Sequence, residues 1–233
     1  MKIALIVAGG TGSRMANLKT PKQFALVNDK PLIAYTIETF QNHPEIDKII
    51  VVILNDYLDD MKNICEDYHF DKVQAIVPGG NTRQLSVSVG LKTALNLGVQ
   101  DEDIILIHDG ARPLVSEEII TKNIEDCKTF EACDTVIRAT DTIVKSEDSE
   151  TIGDIPNRNE LYQSQTPQTF KYRLIVNAHN QAIEEGMTNA TDDATLVLNI
   201  GHKIHLVEGN KMNFKITTDE DLKIFELLTK SMS

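Results

Sequence analysis

The sequence predicts an α/β fold: a doubly wound, mostly parallel sheet with helices on both faces, plus a protruding β-arm. Three observations carry that expectation. Apolar runs of strand length alternate with amphipathic stretches of helical period. The first apolar run ends in a glycine-rich turn, where sheets of this kind meet their ligands. The alternation breaks once, over Thr140–Asn159, where polar residues take over. A chain of 233 residues can bury one sizeable core, so residues 1–233 are expected to form a single domain with 140–159 as an excursion.

Each element has its own signal. Ile3–Val7 is an apolar run of strand length, Leu32–Phe40 has helical spacing, and Lys48–Leu54 is rich in β-branched residues. Asp56–Tyr68 predicts a helix, Val73–Val77 a strand and Thr82–Leu97 a second helix. Ile104–Ile107, Ser116–Phe130 and Thr135–Ala139 repeat the strand, helix, strand rhythm of a parallel sheet. Within Thr140–Asn159, turn signals at Ser149 and Gly153 and spaced Ile143, Ile152 and Ile155 suggest a solvated hairpin. The chain returns through Tyr162–Phe170, in which Gln165–Gln168 reads as a rigid turn around Pro167. Helices at Tyr172–Glu185 and Asp192–Asn199, strand-like Lys203–Val207 and Phe214–Ile216, and a closing helix complete it. Thr218 and Asp221 are spaced as a capping box for that last helix.

Composition narrows the function. The formal charge of −12 argues against nucleic acid or an anionic membrane as partner. It also makes clustered cations informative, because an acidic chain must concentrate them to hold anions. Cys65, Cys127 and Cys133 have neither metal-ligand spacing nor a C-x-x-C pattern, which suits ordinary reduced thiols. The apolar start is too short for a signal-peptide core, and no apolar stretch is long enough to span a membrane. A cytoplasmic protein is expected.

Three loops at predicted strand ends carry unusual residues. In Ala8–Gln23, Gly9, Gly10 and Gly12 free the backbone N–H groups to face an anion, and Arg14 and Lys22 flank them. The dinucleotide fingerprint fails at Met15, where its third glycine belongs, and no Gly-Lys-Ser/Thr closes a Walker loop. Nucleotide phosphates remain the fitting ligand. The second loop, Pro78–Arg83, again pairs glycines at a helix start. The third, His108–Pro113, puts Asp109 at a strand end as a natural Mg²⁺ ligand, since phosphates and water would complete the shell. Arg112 could bridge phosphates or salt-bridge nearby carboxylates, and His108 reads as a packed strand-end histidine.

A-G-G-T-G-S-R-M followed by P-K-Q-F resembles the nucleotide loop of the CTP-dependent cytidylyltransferases that act on polyol phosphates. Further blocks extend the resemblance over nearly the whole chain. It implies that Ala8, Gly9, Gly10, Thr11 and Gly12 cradle CTP, with Arg14 and Lys22 acting on the reacting phosphate. Gly80, Asn81 and Ser86 would approach cytosine and ribose, Arg83 would order their loop, and Asp109 would hold Mg²⁺ beside both substrates. Arg112, Asp141, Thr142, Arg158, Thr166 and Lys215 would contact the acceptor, with Lys215 also catalytic. The arm would pair with a second subunit in a homodimer, so that Thr142 and Arg158 act in the neighbouring site.

The resemblance splits over the acceptor. Arg83–Leu91, His108–Pro113 and Thr191–Val197 look like the branch acting on 2-C-methyl-D-erythritol 4-phosphate, which belongs to isoprenoid synthesis. Ile155–Phe170 looks like the ribitol 5-phosphate branch of teichoic-acid and capsule synthesis. There Tyr162-Gln163 stands where the other branch usually has tryptophan and an apolar residue. The arm and return loop would hold the acceptor, so ribitol 5-phosphate is favoured. A catalytically silent nucleotide-binding subunit is the alternative of another class, and it would be expected to lack Arg14, Lys22 or Asp109.

Overall fold

The computed structural model describes residues 1–10 and 21–232; Thr11, Gly12 and Arg14 lie outside them. In chain order the first half comprises β1 (Lys2–Ala8), β2 (Leu26–Val27), β3 (Lys30–Pro31), α1 (Leu32–Asn42) and β4 (Lys48–Ile53). Then come α2 (Leu58–Asp67), β5 (Val73–Pro78), α3 (Arg83–Asn96), β6 (Ile104–Asp109) and α4 (Glu117–Phe130). The second half holds β7 (Ala132–Arg138), β8 (Tyr162–Lys171), α5 (Tyr172–Glu184), α6 (Asp193–Asn199), β9 (His205–Glu208) and α7 (Asp219–Met232).

Seven strands form one sheet in the order β5-β4-β1-β6-β8-β7-β9. β1 pairs in parallel with β4 and β6, β4 with β5, and β7 with β9. Only β8 runs against its neighbours β6 and β7. After β7 the chain leaves the sheet through the arm and returns without a crossover helix, so it comes back antiparallel.

Both faces of the sheet are covered, which explains the unbroken apolar strands. Successive side chains point to opposite faces. Ala4 and Ile6 of β1 join Ile49, Val51 and Leu106 in a core that includes Ile37 and Phe40 of α1 and Ile120 of α4. Ile3 and Leu5 join Ile50, Val52 and Ile107 in the other, with Val87 of α3 and Ile175 of α5. Helix starts follow local chemistry: the Thr82 hydroxyl accepts from Leu85 N–H at 3.1 Å and the Ser116 hydroxyl from Ile119 N–H at 3.4 Å. The expected capping box is present, with Thr218 N–H donating to Asp221 at 2.9 Å and Asp221 N–H to the Thr218 hydroxyl at 3.2 Å.

Two expectations need correction. Gln165–Gln168 is not a turn but the interior of β8, and Gln165, Thr166 and Gln168 are buried there. The ladder with β7 shifts register between Asp134 and Val136, opposite Pro167, so the proline sits where its missing donor leaves no gap in the ladder. Phe214–Ile216 forms no strand; it is an irregular segment tied by Ile216 N–H to the Ala111 carbonyl at 2.9 Å. The arm leaves the body as expected: residues 140–155 are exposed, and one antiparallel bridge joins Lys145 to Asp154.

Gly90 on α3 marks a close helix–sheet approach to β1. A Cβ there would lie 2.3 Å from Leu5 Cδ1 and 3.1 Å from its Cγ, and Leu5 is fully buried. Replacing a helical glycine gains at most about 1 kcal/mol, whereas overpacking a dense core costs about 1–3 kcal/mol. Gly90→Val is therefore expected to lower the unfolding free energy in urea by about 1–2 kcal/mol. An unchanged midpoint would contradict this packing.

Candidate active site

The carboxyl ends of β1, β5 and β6 open into one cleft of about 380 Å³, where ligands bind in sheets of this class. Its walls include Ala8, Gly9, Gly10 and Lys22 from the first loop, Gly80, Asn81, Arg83 and Ser86 from the second, and Asp109 from the third. The three loops expected to share a site therefore do so. Lys215 completes the wall from the irregular segment before α7.

The glycine loop is pinned from below by Gln23, a residue whose role the sequence left unread. Its buried amide donates to the Ala8 carbonyl at 2.6 Å and to that of Gly10 at 3.3 Å. Lys22 Nζ donates to the Ile216 carbonyl at 2.7 Å, which ties the first loop to the segment carrying Lys215. In the second loop Gly80 is required by close approach, because a Cβ would meet Leu85 Cβ at 2.5 Å. The Ser86 hydroxyl donates to the Thr82 carbonyl at 2.9 Å, holding that loop onto the first turn of α3.

Asp109 is the electrostatic centre. Lys215 Nζ lies 2.8 Å from Oδ2, Arg83 Nε 3.6 Å from Oδ1 and Arg112 Nε 3.7 Å from Oδ2. Burial pushes the carboxyl's pKa up, but Lys215, Arg83 and Arg112 outweigh it and hold Asp109 well below the ordinary carboxylate range. It is therefore ionised throughout the neutral range.

Beneath Asp109, the histidine and threonine are fully engaged. His108 Nε2 lies 3.0 Å from the Arg112 carbonyl, which can only accept, so Nε2 carries the proton. Burial lowers the His108 pKa to about 4, leaving a neutral ring whose Nδ1 accepts. The Thr166 hydroxyl, 3.0 Å from that Nδ1, must donate to it while accepting Asp109 N–H at 3.1 Å. His108 is the packed strand-end residue expected. Thr166 departs from expectation: its single donor is spent and it is only 5% exposed, so it supports Asp109 rather than offering a hydroxyl to a phosphate.

A second cavity of about 400 Å³ adjoins the first, and Lys215 lines both. Arg112, Arg138, Lys211, Asp141 and Gln163 contribute to its wall. Of the arm residues, Thr140 and Asp141 reach it, whereas Thr142 does not. Arg158 turns back instead, with Nη1 donating to the Thr140 carbonyl at 3.0 Å. Among the described residues no group of three or more His, Cys, Asp or Glu could hold a metal ion, so a metal would depend on Asp109 and on the ligands' own oxygens.

A cleft lined by Lys22, Arg83 and Lys215 at the switch of a doubly wound sheet fits the class of nucleotide-binding enzymes, and comparison with known proteins narrows it. Residues 2–231 match the family described as IspD, 2-C-methyl-D-erythritol 4-phosphate cytidylyltransferase. The chain belongs to this family and is a cytidylyltransferase. It is 40% identical over 228 residues to a ribitol-5-phosphate cytidylyltransferase of Streptococcus agalactiae serotype V, covering 98% of this chain and 95% of that one. It is also 40% identical over 230 residues to a 2-C-methyl-D-erythritol 4-phosphate cytidylyltransferase of Clostridium novyi, covering 98% and 96%. The crystal structure of 4-diphosphocytidyl-2C-methyl-D-erythritol synthase from Anaerococcus prevotii superposes with a TM-score of 0.82 at 31% identity, covering 99% and 98%.

Thr166→Val keeps the side chain's volume but removes the hydroxyl that pairs Asp109 N–H with His108. Leaving those buried groups unpaired should cost about 1–3 kcal/mol. The substrate-free protein is expected to lose that much in a urea titration. A side chain whose task was to bond a phosphate would leave the substrate-free stability unchanged.

Proposed function

We propose that the chain transfers the cytidylyl group of CTP to D-ribitol 5-phosphate, forming CDP-ribitol and pyrophosphate. The observation that carries the acceptor assignment is the polar wall of the second cavity, where Gln163 and Ser164 of β8 stand beside Arg138, Asp141 and Lys211. Such a wall offers hydrogen-bond partners along an unbranched, hydroxylated chain, and cations for its phosphate. Tyr162 stacks against Arg138, with the guanidinium 5.0 Å from the ring centre, and so holds that cation at the rim. Ile137 and Phe214 also line the cavity and give the second reading, 2-C-methyl-D-erythritol 4-phosphate, an apolar contact for its methyl branch.

The chemistry follows from charge. The acceptor is a phosphate monoester whose oxygen is already anionic near neutral pH, so the attack on the α-phosphorus of CTP needs no general base. A new P–O bond forms, the bond to the β-phosphate breaks, and pyrophosphate leaves with the electron pair. The barrier lies in bringing two polyanions together and in the charge on the equatorial oxygens, which positioned cations lower. Lys22 lines the CTP cleft, Lys215 lies where the two cavities meet, and Arg112 faces the acceptor. Arg14, outside the described residues, is assigned to the α-phosphate by its place in the first loop. Asp109 suits Mg²⁺ held by one carboxylate, being ionised and facing the cleft. When bound, that ion would neutralise charge on the phosphate oxygens.

A homodimer through the arm belongs to the same proposal. Ile143, Val144, Ile152 and Ile155 are 39–62% exposed on a segment with little internal pairing, and a second copy would cover them. Thr142 and Arg158 would then serve the neighbouring acceptor cavity. Dependence on CTP and three free thiols fit the cytoplasm.

Pyrophosphate release with CTP and Mg²⁺ tests the acceptor. A site built to bond hydroxyls rejects an analogue lacking one by up to about 10⁴-fold, and an apolar pocket discriminates far less. The expected outcome is a kcat/KM for ribitol 5-phosphate at least about tenfold above that for 2-C-methyl-D-erythritol 4-phosphate. The reverse preference would overturn the assignment and favour the methyl-branched acceptor.

A further inference from the structure

Behind the second loop lies a buried polar cluster whose inner members, Asp193 and His179, do not line either cavity. Arg83 leaves the first turn of α3 and donates through Nη1 to Asp193 Oδ2 at 2.7 Å, while its Nε faces Asp109. Asp193, 0% exposed at the start of α6, receives His179 Nε2 from α5 on its other oxygen at 2.9 Å. Burial pushes the Asp193 pKa up, but Arg83 and His179 together bring it below its ordinary value. Gln168 holds the start of α6 in place, its side-chain Oε1 accepting from the N–H groups of Asp193 at 2.9 Å and Ala194 at 3.3 Å.

The segment before α6 is also fastened to the second loop and the first turn of α3. Thr82 Oγ1 donates to the Thr188 carbonyl at 2.6 Å, Gln84 Nε2 to that of Met187 at 2.7 Å, and Gln84 Oε1 accepts from Ala190 N–H at 2.9 Å. Packing alone does not explain the choice of residues. An apolar pair of similar volume serves stability as well as a buried ion pair or better. His179 moreover leaves Nδ1 buried without a partner. The ring's one hydrogen bond is the one to Asp193. What the cluster supplies that apolar residues could not is orientation of the Arg83 guanidinium between Asp193 and Asp109.

We infer that His179 and Asp193 are positioning residues for cytidylyl transfer, acting through Arg83 to hold the loop from Gly80 to Ser86 against Asp109 in the shape that CTP binds. The inference rests on CTP occupying the first cleft, the one that Gly80, Asn81 and Arg83 line. On that reading Gly80, Asn81 and Ser86 meet the cytosine and ribose rather than the reacting phosphates, so the pair contributes to nucleotide binding more than to turnover.

CTP affinity by calorimetry with Mg²⁺, and steady-state kinetics with whichever acceptor supports turnover, provide the test. His179→Phe should raise the Kd and KM for CTP about tenfold while kcat stays within about threefold and the acceptor KM is unchanged. His179→Gln, whose Nε2 can make the same donation, should restore CTP affinity to within about twofold of wild type. Combined with Arg83→Lys, the His179→Phe effect on Kd should shrink, because both changes act on one contact. A folded His179→Phe protein with unchanged CTP affinity, or additive effects in the double variant, would overturn the inference and leave the pair a purely structural one. Should His179→Phe not fold, His179→Asn decides: weakened CTP binding supports positioning and unchanged binding overturns it. Lys22→Ala separates the underlying reading, since wild-type CTP affinity and turnover in that variant would remove CTP from the cleft whatever His179 does.

Discussion

Asp109 ends β6 with its carboxylate held among Lys215, Arg83 and Arg112, and much of the site's architecture serves that arrangement. One buried negative charge allows three cations to stand together beside a cleft without driving one another apart. Each cation comes from a different element or loop, so the carboxylate also ties the start of α3, the β6 loop and the segment before α7 to one point. Its own position is fixed from beneath by the Thr166 hydroxyl and the neutral His108 ring. A carboxylate in this place is costly to bury alone and is stable because its partners converge on it.

The same arrangement reconciles a chain of net charge −12 with two anionic substrates. Lys22, Arg83, Arg112 and Lys215 gather around the two cavities at the strand ends, while acidic residues occupy surfaces such as α2 and the first turn of α7. Local rather than net charge sets the field that a phosphate meets in a cleft. Lys215, lining both cavities, stands where the two substrates' phosphates would approach.

The sheet was legible because β1, β4 and β6 are buried on both faces and therefore read as unbroken apolar runs. Helix starts were legible because Thr82, Ser116 and the Thr218–Asp221 pair cap them with local bonds. β8 was not, since Gln165, Gln168 and Thr169 look like loop residues until Asn210, Asp134 and Asn123 satisfy them from distant parts of the chain. For the site, the loops and their cations could be read from glycines and charge. The engagement of Thr166 by His108 and the support of Arg83 by Asp193, 110 residues away, could not, because both depend on tertiary contacts without local pattern.

The Asp109 charge, shared among Lys215, Arg83 and Arg112, organises the cleft. Asp109→Asn keeps the side chain's shape and one acceptor oxygen but removes that charge, releasing the surrounding cations from their common partner. With CTP, Mg²⁺ and acceptor saturating, and folding verified by circular dichroism, pyrophosphate release should fall by about 10²-fold or more, as for loss of a preorganised electrostatic contact. Turnover within a few-fold of wild type in the folded variant would contradict it.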